Sequence, residues 1–394
     1  MPPLFRQKKF GSGMTDITRP MGRKVARKES NLCFEKNADL IGRRTTKMVT
    51  IRDVAGESGF SVTTVSMVLN DGPAAQRISA RTRTHVWKVA RRLGYRPNLF
   101  ARSLRSRRSQ TVGVVVFDIT DPYCTQILRG IENHLRPSGY FPIVTDLQDD
   151  RSQFHRCLDM LLGRRVEGVI AMANPIYLDA QLLSELADRN VPAVVIGSEL
   201  ADSPLSSVVV DNEAGTRQAI QHLYELGHSR IAFIKGPKIL VDSTQRWRGL
   251  ETFARDVGLR LDPKLVLEIK GRNSTYAEGC QLTEELLKRC PNFTALVAFD
   301  DVTACAAIRA LTQAGRQVPK DCSVVGFDDV PSSAFYNPPL TTVHQLLETQ
   351  GSLAAEMVEE LIQATMDKRS VPPKRRKVSP QLVVRDSTCP APHS

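Results

Sequence analysis

An α/β protein with a short all-α domain in front is what this 394-residue sequence predicts. Three observations carry the prediction. Residues 50–94 place apolar side chains at helical spacing over three short stretches. From Thr111 onward, brief β-branched runs alternate with longer amphipathic stretches, the pattern of a doubly wound parallel sheet. Near Val208 the alternation starts again, so two such sheets follow one another.

The front domain is organised around Thr50 to Asn70, which reads as two short helices joined by a tight turn. Ile51, Val54 and Ala55 keep helical spacing on the first; Val65, Val68 and Leu69 keep it on the second. Gly59 falls between them, where a left-handed backbone would make a Cβ costly. Thr50 suits the N-cap of the first helix, with Asp53 at the capping-box position, and Ser61 suits the N-cap of the second. Two helices this short cannot bury a core of their own. With a polar outer face at Thr63, Thr64 and Ser66, the pair suggests a DNA-reading helix-turn-helix. Taken alone, it fits a helical hairpin in an ordinary core equally well. A third helix over Ser79 to Gly94 lines up Val86, Val89, Ala90 and Leu93.

In the body, strands are expected at Val112–Phe117, Tyr140–Thr145, Val166–Met172 and Val191–Ile196. Helices are expected over Gln126–Leu135, Asp150–Gly163 and Leu178–Arg189. The second round has strands at Val208–Val210, Ile231–Ile234, Leu265–Ile269, Ala295–Ala298 and Ser323–Phe327, with helices between them, the first over Ala214–Leu226.

Charge is one-sided. The formal net charge is +12, yet residues 1–48 hold 12 Lys/Arg against 4 Asp/Glu, and residues 49–109 hold 12 against 3. The remainder is therefore at −5, so a polyanion-binding front sits on a mildly acidic body. The eight cysteines form no CxxC pair and no zinc spacing, which fits reduced thiols in a cytoplasmic protein. No metal site or cofactor is implied. No run of about 18 apolar residues and no secretory h-region occurs, so neither a membrane partner nor export is expected. The dinucleotide-binding GxGxxG, the P-loop and the GxSxG elbow are all missing, which argues against an enzyme and against any catalytic residue set.

Several separated motifs then occur in one order and at consistent distances: Thr50-Ile-Arg-Asp-Val-Ala, Ser61-Val-Thr-Thr-Val-Ser, Val68-Leu-Asn70, Leu93-Gly-Tyr-Arg-Pro-Asn98 and Ala101-Arg-Ser-Leu104. Together they closely resemble the DNA-binding head of the lactose-repressor/galactose-repressor family. The resemblance runs on through Asp211-Asn-Glu-Ala-Gly215, Arg246-Trp-Arg-Gly249, Val324-Val-Gly-Phe-Asp-Asp329 and Leu382-Val-Val-Arg-Asp-Ser387. It implies a helix-turn-helix head (48–95), a hinge helix or linker (96–109), a two-lobed periplasmic-binding-protein-like sensor (110–390) and a tail (391–394). The N-lobe would comprise about 110–209 and 345–373, and the C-lobe about 210–344 and 374–390. Residues 1–47 read as a disordered basic extension. Because the head begins almost at the N-terminus in the family, Met48 reads as the start; the alternative is a basic arm that adds nonspecific DNA affinity.

For a regulator of this kind the partners are double-stranded operator DNA, a second copy of the chain and a small-molecule effector, in the cytoplasm on the bacterial nucleoid. Without C-terminal leucine heptads, a homodimer is expected and not a tetramer. The second helix would enter the major groove, with Val62 and Thr63 at the base edges. Ser61 caps that helix, and Ser66 and Asn70 suit phosphates. Many relatives carry Arg or His where this chain has Met67, which cannot fork onto guanine; core packing and apolar base contact both suit it. Thr50, Tyr95, Asn98 and Arg105 are candidate phosphate contacts. Ala101 belongs to the hinge motif. At Leu104 the residue pattern alone favours packing against the body, whereas the resemblance implies a wedge between base pairs.

The effector would lie between the lobes, at the carboxyl ends of the strands. Asp121 and Tyr123 follow the first strand. By resemblance Arg246 and Asp328 match effector contacts, Asp300 stands where many relatives carry Asn, and Gln345 lies on a crossover beside the cleft. Carboxylates, an arginine and an aromatic face suit a polyhydroxylated ligand of carbohydrate type. For Asp300 and Asp328 the less favoured alternative is loop capping at helix N-termini. Cys124, Gly197 and Ser274 depart from the family habit, which leaves room for a regulator that has lost its effector. A sugar-binding or other α/β protein with an incidental basic N-terminus is the rival from another class. The run Pro372-Pro-Lys-Arg-Arg-Lys-Val378 mimics a nuclear-localisation signal and is expected instead to be a basic loop leading into the last strand.

Overall fold

The computed structural model describes residues 49–70, 73–96, 108–172, 184, 186–197 and 203–392. They fall into two compact units divided at residue 97.

The first unit is three helices: α1 (Ile51–Ser58), α2 (Val62–Leu69) and α3 (Ala80–Leu93). Their starts follow the local chemistry. The Asp53 carboxylate accepts from the Thr50 backbone N–H at 2.7 Å, and the Thr50 hydroxyl accepts from Asp53 N–H, closing the capping box. Ser61 and Ser79 accept from Thr64 N–H and Thr82 N–H at 3.1 and 3.2 Å. Gly59 ends α1 at φ +73°, the left-handed turn that its position requires. Val54, Val65, Val68, Val86 and Val89 make the shared core, so each helix is held by the other two.

The second unit holds two six-stranded sheets. The first uses β1 (Thr111–Val116), β2 (Phe141–Asp146), β3 (Gly168–Met172), β4 (Ala193–Ile196), β5 (Ser206–Val210) and β11 (Arg375–Val378), in the order β11-β5-β4-β3-β1-β2 and parallel throughout. The second uses β6 (Ile231–Lys235), β7 (Val266–Glu268), β8 (Ala295–Ala298), β9 (Ser323–Asp328), β10 (Thr341–His344) and β12 (Gln381–Val383), in the order β12-β10-β9-β8-β6-β7, with β12 antiparallel. The helices are α4 (Pro122–Leu135), α5 (Gln153–Gly163), α6 (Asn212–Glu225), α7 (Val241–Val257), α8 (Tyr276–Arg289), α9 (Asp301–Gln313) and α10 (Leu347–Met366). Strands β3, β4 and β8 are buried at every position, which explains their unbroken apolar sequences. The chain passes from one sheet to the other after β5, after β10 and after β11.

Two close crossings depend on glycine. A Cβ on Gly130 of α4 would stand 1.9 Å from the Glu348 carbonyl oxygen, and one on Gly249 of α7 would stand 2.3 Å from that of Glu213. These contacts seat α10 on α4 and α7 on α6.

Two expectations shift. α4 begins at Pro122, four residues before Gln126, because Asp121 caps it and Pro122 occupies the first turn, where no N–H is needed. Residues 375–378, assigned above to the C-lobe and to a basic loop, are an edge strand of the first sheet paired with β5. Arg375, Arg376 and Lys377 are exposed there, as charged residues on an edge commonly are, while Val378 is buried. The helix expected over Leu178–Arg189 lies largely outside the described residues.

Candidate functional site

In the front unit, α2 presents one free face. Val62 and Met67 are 43% and 40% exposed, and Thr63 is exposed beside them. Core packing of Met67, one of the two options above, is thereby set aside. The Asn70 side-chain amide donates to the Ser66 hydroxyl at 3.2 Å, joining those two groups at the end of the helix. Ser61 and Thr50 spend their hydroxyls on the caps. Tyr95 is half-buried against the head's core, and that burial raises its hydroxyl pKa above the ordinary value. Asn98, Ala101, Leu104 and Arg105 lie outside the described residues.

In the second unit a cavity of about 310 Å³ opens between the lobes, at the carboxyl ends of both sheets. Asp121, Tyr123, Arg246, Asp300 and Asp328 all line it. Gln345 stands one step behind, fully buried, donating from its side-chain amide to the Asp328 carboxylate. Much of the remaining lining was not anticipated, and five of those residues matter here: Phe117, Asp149, Asn273, Tyr276 and Phe299. Each follows or ends a strand, apart from Tyr276 at the start of α8, so position after a strand was the usable signal.

Arg246 is the centre of the lining. Its guanidinium carbon lies 3.7 Å from the Phe327 ring centroid and 4.6 Å from that of Phe299. Its Nε donates to Asn212 Oδ1 at 2.9 Å, its Nη1 to the Phe299 carbonyl at 2.5 Å, and its Nη2 lies 3.9 Å from Asp328 Oδ1. The aromatic faces and fixed acceptors hold the planar group in one orientation. Asp328 occupies φ +126°, a costly backbone for a non-glycine residue, and is held there between Gln345 and Arg246. Burial pushes its carboxyl well above the ordinary range, against the pull of Arg246.

Asp300 does two jobs. One oxygen caps α9, accepting from Thr303 N–H at 2.7 Å; the other accepts from the Ser274 hydroxyl at the cavity wall. Its neighbour Asp301 is fully buried and accepts from Val330 N–H at 2.9 Å and from Ser333 at 2.6 Å. Burial lifts Asp301 to about 7. Asp121 is lifted to about 6, first by burial and then by the charges of Asp300, Asp118 and Asp149. Since Asp121 and Asp149 belong to the first lobe and Asp300 to the second, like charges face each other across the cleft. A direct bridge spans it: Asn273 Nδ2 donates to Asp149 Oδ2 at 2.5 Å.

The departures have local reasons. Cys124 is fully buried in the first lobe's core and does not line the cavity. Gly197 sits at φ +91°, where a side chain would be strained. Ser274 anchors Asp300, and Tyr276 supplies an aromatic two residues on. Among the described residues, no group of three or more His, Cys, Asp or Glu could hold a metal ion, and no helix is long and apolar enough to cross a membrane.

With this geometry in place, comparison with known proteins is direct. Residues 50–98 match the family described as bacterial regulatory proteins, lacI family, and residues 220–388 match the periplasmic binding protein-like domain. The chain is 34% identical over 343 residues to the HTH-type transcriptional repressor PurR of Aliivibrio fischeri (strain MJ11), covering 86% of this chain and 98% of that one. To the HTH-type transcriptional repressor CytR of Escherichia coli (strain K12) it is 30% identical, covering 86% and 96%. The solved Lac repressor dimer bound to operator and the anti-inducer ONPF aligns with a TM-score of 0.75 at 29% identity, over 87% of this chain and all of that one. A complex of the transcriptional regulator CelR with cellobiose aligns at 0.64 and 32% identity, over 86% and 99%. Head and body thus match the same kind of protein along nearly its whole length, and the chain belongs to the LacI family of bacterial transcriptional regulators and is not an enzyme.

Proposed function

We propose that this protein is an effector-controlled repressor that binds a two-fold operator as a homodimer in the bacterial cytoplasm, on the nucleoid. The head (48–95) reads a half-site, the linker (96–109) couples it to the body (110–390), and the cleft senses a small molecule. Residues 375–378 are best grouped with the N-lobe. Relatives named as repressors, and a solved relative that is a dimer on operator DNA, support the DNA side of the reading.

The observation that carries the sensing side is the cavity itself, with Arg246 fixed between two rings and acceptors arriving from both lobes. Asp121, Asp300 and Asp328 are placed to accept from ligand hydroxyls. Tyr123, Phe117 and Phe299 offer flat faces for the apolar side of a sugar ring. A polyhydroxylated ligand without a negative charge fits best, because six aspartates line the cavity against one arginine. Cellobiose and ribose bound to two solved relatives are of this class.

A second reading has its own support. Arg246 already donates two hydrogen bonds within the protein and lies beside the Asp328 carboxylate, as it would in a regulator that answers to no effector. Calorimetric titration of the full-length protein with a panel of neutral mono- and disaccharides, cellobiose and ribose included, separates the two. Binding that is lost in Asp300→Ala, together with a changed operator affinity, supports the sensor. A panel that leaves both heat and operator affinity unchanged favours the effector-free regulator.

A further inference from the structure

The recognition helix is chemically unusual for a major-groove reader. Its sequence, Val-Thr-Thr-Val-Ser-Met-Val-Leu, contains no charged residue and no amide. In the major groove guanine is ordinarily read by a forked Arg or a Lys, and adenine by a forked Asn or Gln. Nothing on α2 can do either. The nearest amide, Asn70, is at the C-cap and is engaged with Ser66. What the helix offers instead is apolar. Val62 is 43% exposed and Met67 40% exposed, while Val65, Val68 and Leu69 are buried in the head. Thr63 stands one turn before Met67, so a methyl and a thioether share one face. Ser61, whose hydroxyl meets Thr64 N–H at 3.1 Å and Thr64 Oγ1 at 2.9 Å, serves as a cap.

Exposed apolar side chains gain from entering a groove only where they meet apolar surface. The major groove has one such feature, the C5-methyl group of a pyrimidine. We propose that this head reads its half-site through C5-methyl groups, with Val62 and Met67 packing on methylated pyrimidine edges. The inference rests on α2 being the helix that enters the groove. Thymine supplies the methyl in ordinary DNA; 5-methylcytosine supplies the same group at the same place. Two consequences follow. The bases beneath α2 are thymines, not guanines held by a charged fork, and cytosine methylation at those positions raises affinity.

The test uses full-length protein and a random double-stranded library. The selected half-site is resynthesised with each thymine replaced in turn by deoxyuracil, which lacks only the methyl. Loss of one buried methyl should weaken binding about fourfold. That penalty is expected at two or more positions per half-site. Met67→Ala should abolish it at one position and Val62→Ala at another. Retained nonspecific DNA binding shows that each variant still folds. At the Met67 position, a 5-methylcytosine·guanine pair should bind about fourfold better than cytosine·guanine. Uracil tolerated to within about 1.5-fold throughout the half-site would overturn the inference, as would an unchanged uracil profile in both variants. Selection of no sequence would instead overturn the DNA-regulator reading beneath it.

Discussion

Replacing Arg246 with methionine tests whether the cleft's arginine is a structural pillar as well as a proposed ligand contact. Methionine keeps the length and apolar bulk of the side chain, so the rings of Phe327 and Phe299 stay covered. What disappears is the charge 3.9 Å from Asp328, together with the bonds to Asn212 Oδ1 and the Phe299 carbonyl. Both members of the ion pair are largely shielded, with side chains 9% and 13% exposed. Removing one partner of such a pair costs about 3–5 kcal/mol, because the other charge is left uncompensated. In a body of this size that corresponds to a melting point lower by on the order of 10 °C. The double variant Arg246→Met/Asp328→Asn removes the orphaned charge while Gln345 keeps a side-chain acceptor, so it should recover about 1.5 kcal/mol or more. The loss should also shrink as pH falls, because burial favours the neutral form of Asp328 and proton uptake removes the stranded charge. Calorimetric melts at pH 5 and pH 8 read all three effects. A single variant that melts within about 2 °C of wild type at pH 8, with a double variant no more stable, would refute the reasoning.

Two further outcomes follow from the carboxylates around the cavity. Burial lifts Asp121 to about 6 and Asp301 to about 7, both from an ordinary 3.8. A carboxyl with a raised folded-state pKa favours folding most below its unfolded value and loses that contribution as pH rises through the folded one. The ligand-free body should therefore lose stability between about pH 4 and pH 7. Asp121→Asn should flatten the urea-midpoint profile below pH 6, and an unflattened profile would mean that Asp121 is not buried against Asp300 and Asp149. Asn273→Ala removes the bridge to Asp149 and should speed amide exchange in residues 271–276 and around Asp149 about tenfold, as expected for losing one hydrogen bond to a charged group. Unchanged exchange would show that the lobes are held together elsewhere.

The parts of this fold that could be read from residues are those decided locally. Thr50 with Asp53, Ser61 and Gly59 each act within four residues of themselves, so the head's boundaries follow from side-chain chemistry. The buried strands announce themselves because a parallel sheet covered on both faces needs continuous apolar sequence. Two failures show where that logic stops. Asp121-Pro122 carries a turn signal and a helix-start signal at once, and only the four residues after it settle which. Arg375 to Val378 looks like a loop until β5 is beside it; pairing with a strand about 170 residues earlier is invisible from either segment. The cleft shows the same division. The family motifs point to Arg246 and Asp328, yet nothing near them indicates Phe299 as the ring beneath the guanidinium, or Asn273 reaching Asp149 across the gap.

That gap also defines how sensing can work. A ligand shifts the equilibrium between open and closed lobes only by the difference in its affinity for the two. Contacts confined to one lobe add affinity and shift nothing. In this cleft Asp121, Tyr123 and Asp149 line one side, and Asn273, Asp300 and Asp328 the other. Asp121 and Asp300 face each other from opposite lobes, and after burial the Asp300 charge is among the causes that raise the pKa of Asp121, so bringing the lobes together carries an electrostatic cost. A neutral ligand whose hydroxyls donate to both sides converts that repulsion into bridging. Its differential contribution then comes from two or three hydrogen bonds made only in the closed form, about 1–3 kcal/mol in all and enough for a 5- to 150-fold change in operator affinity. An anionic ligand would add to the repulsion instead. On the proposed reading, the charge of the cleft favours neutral effectors over anionic ones, independently of how well they fill its volume.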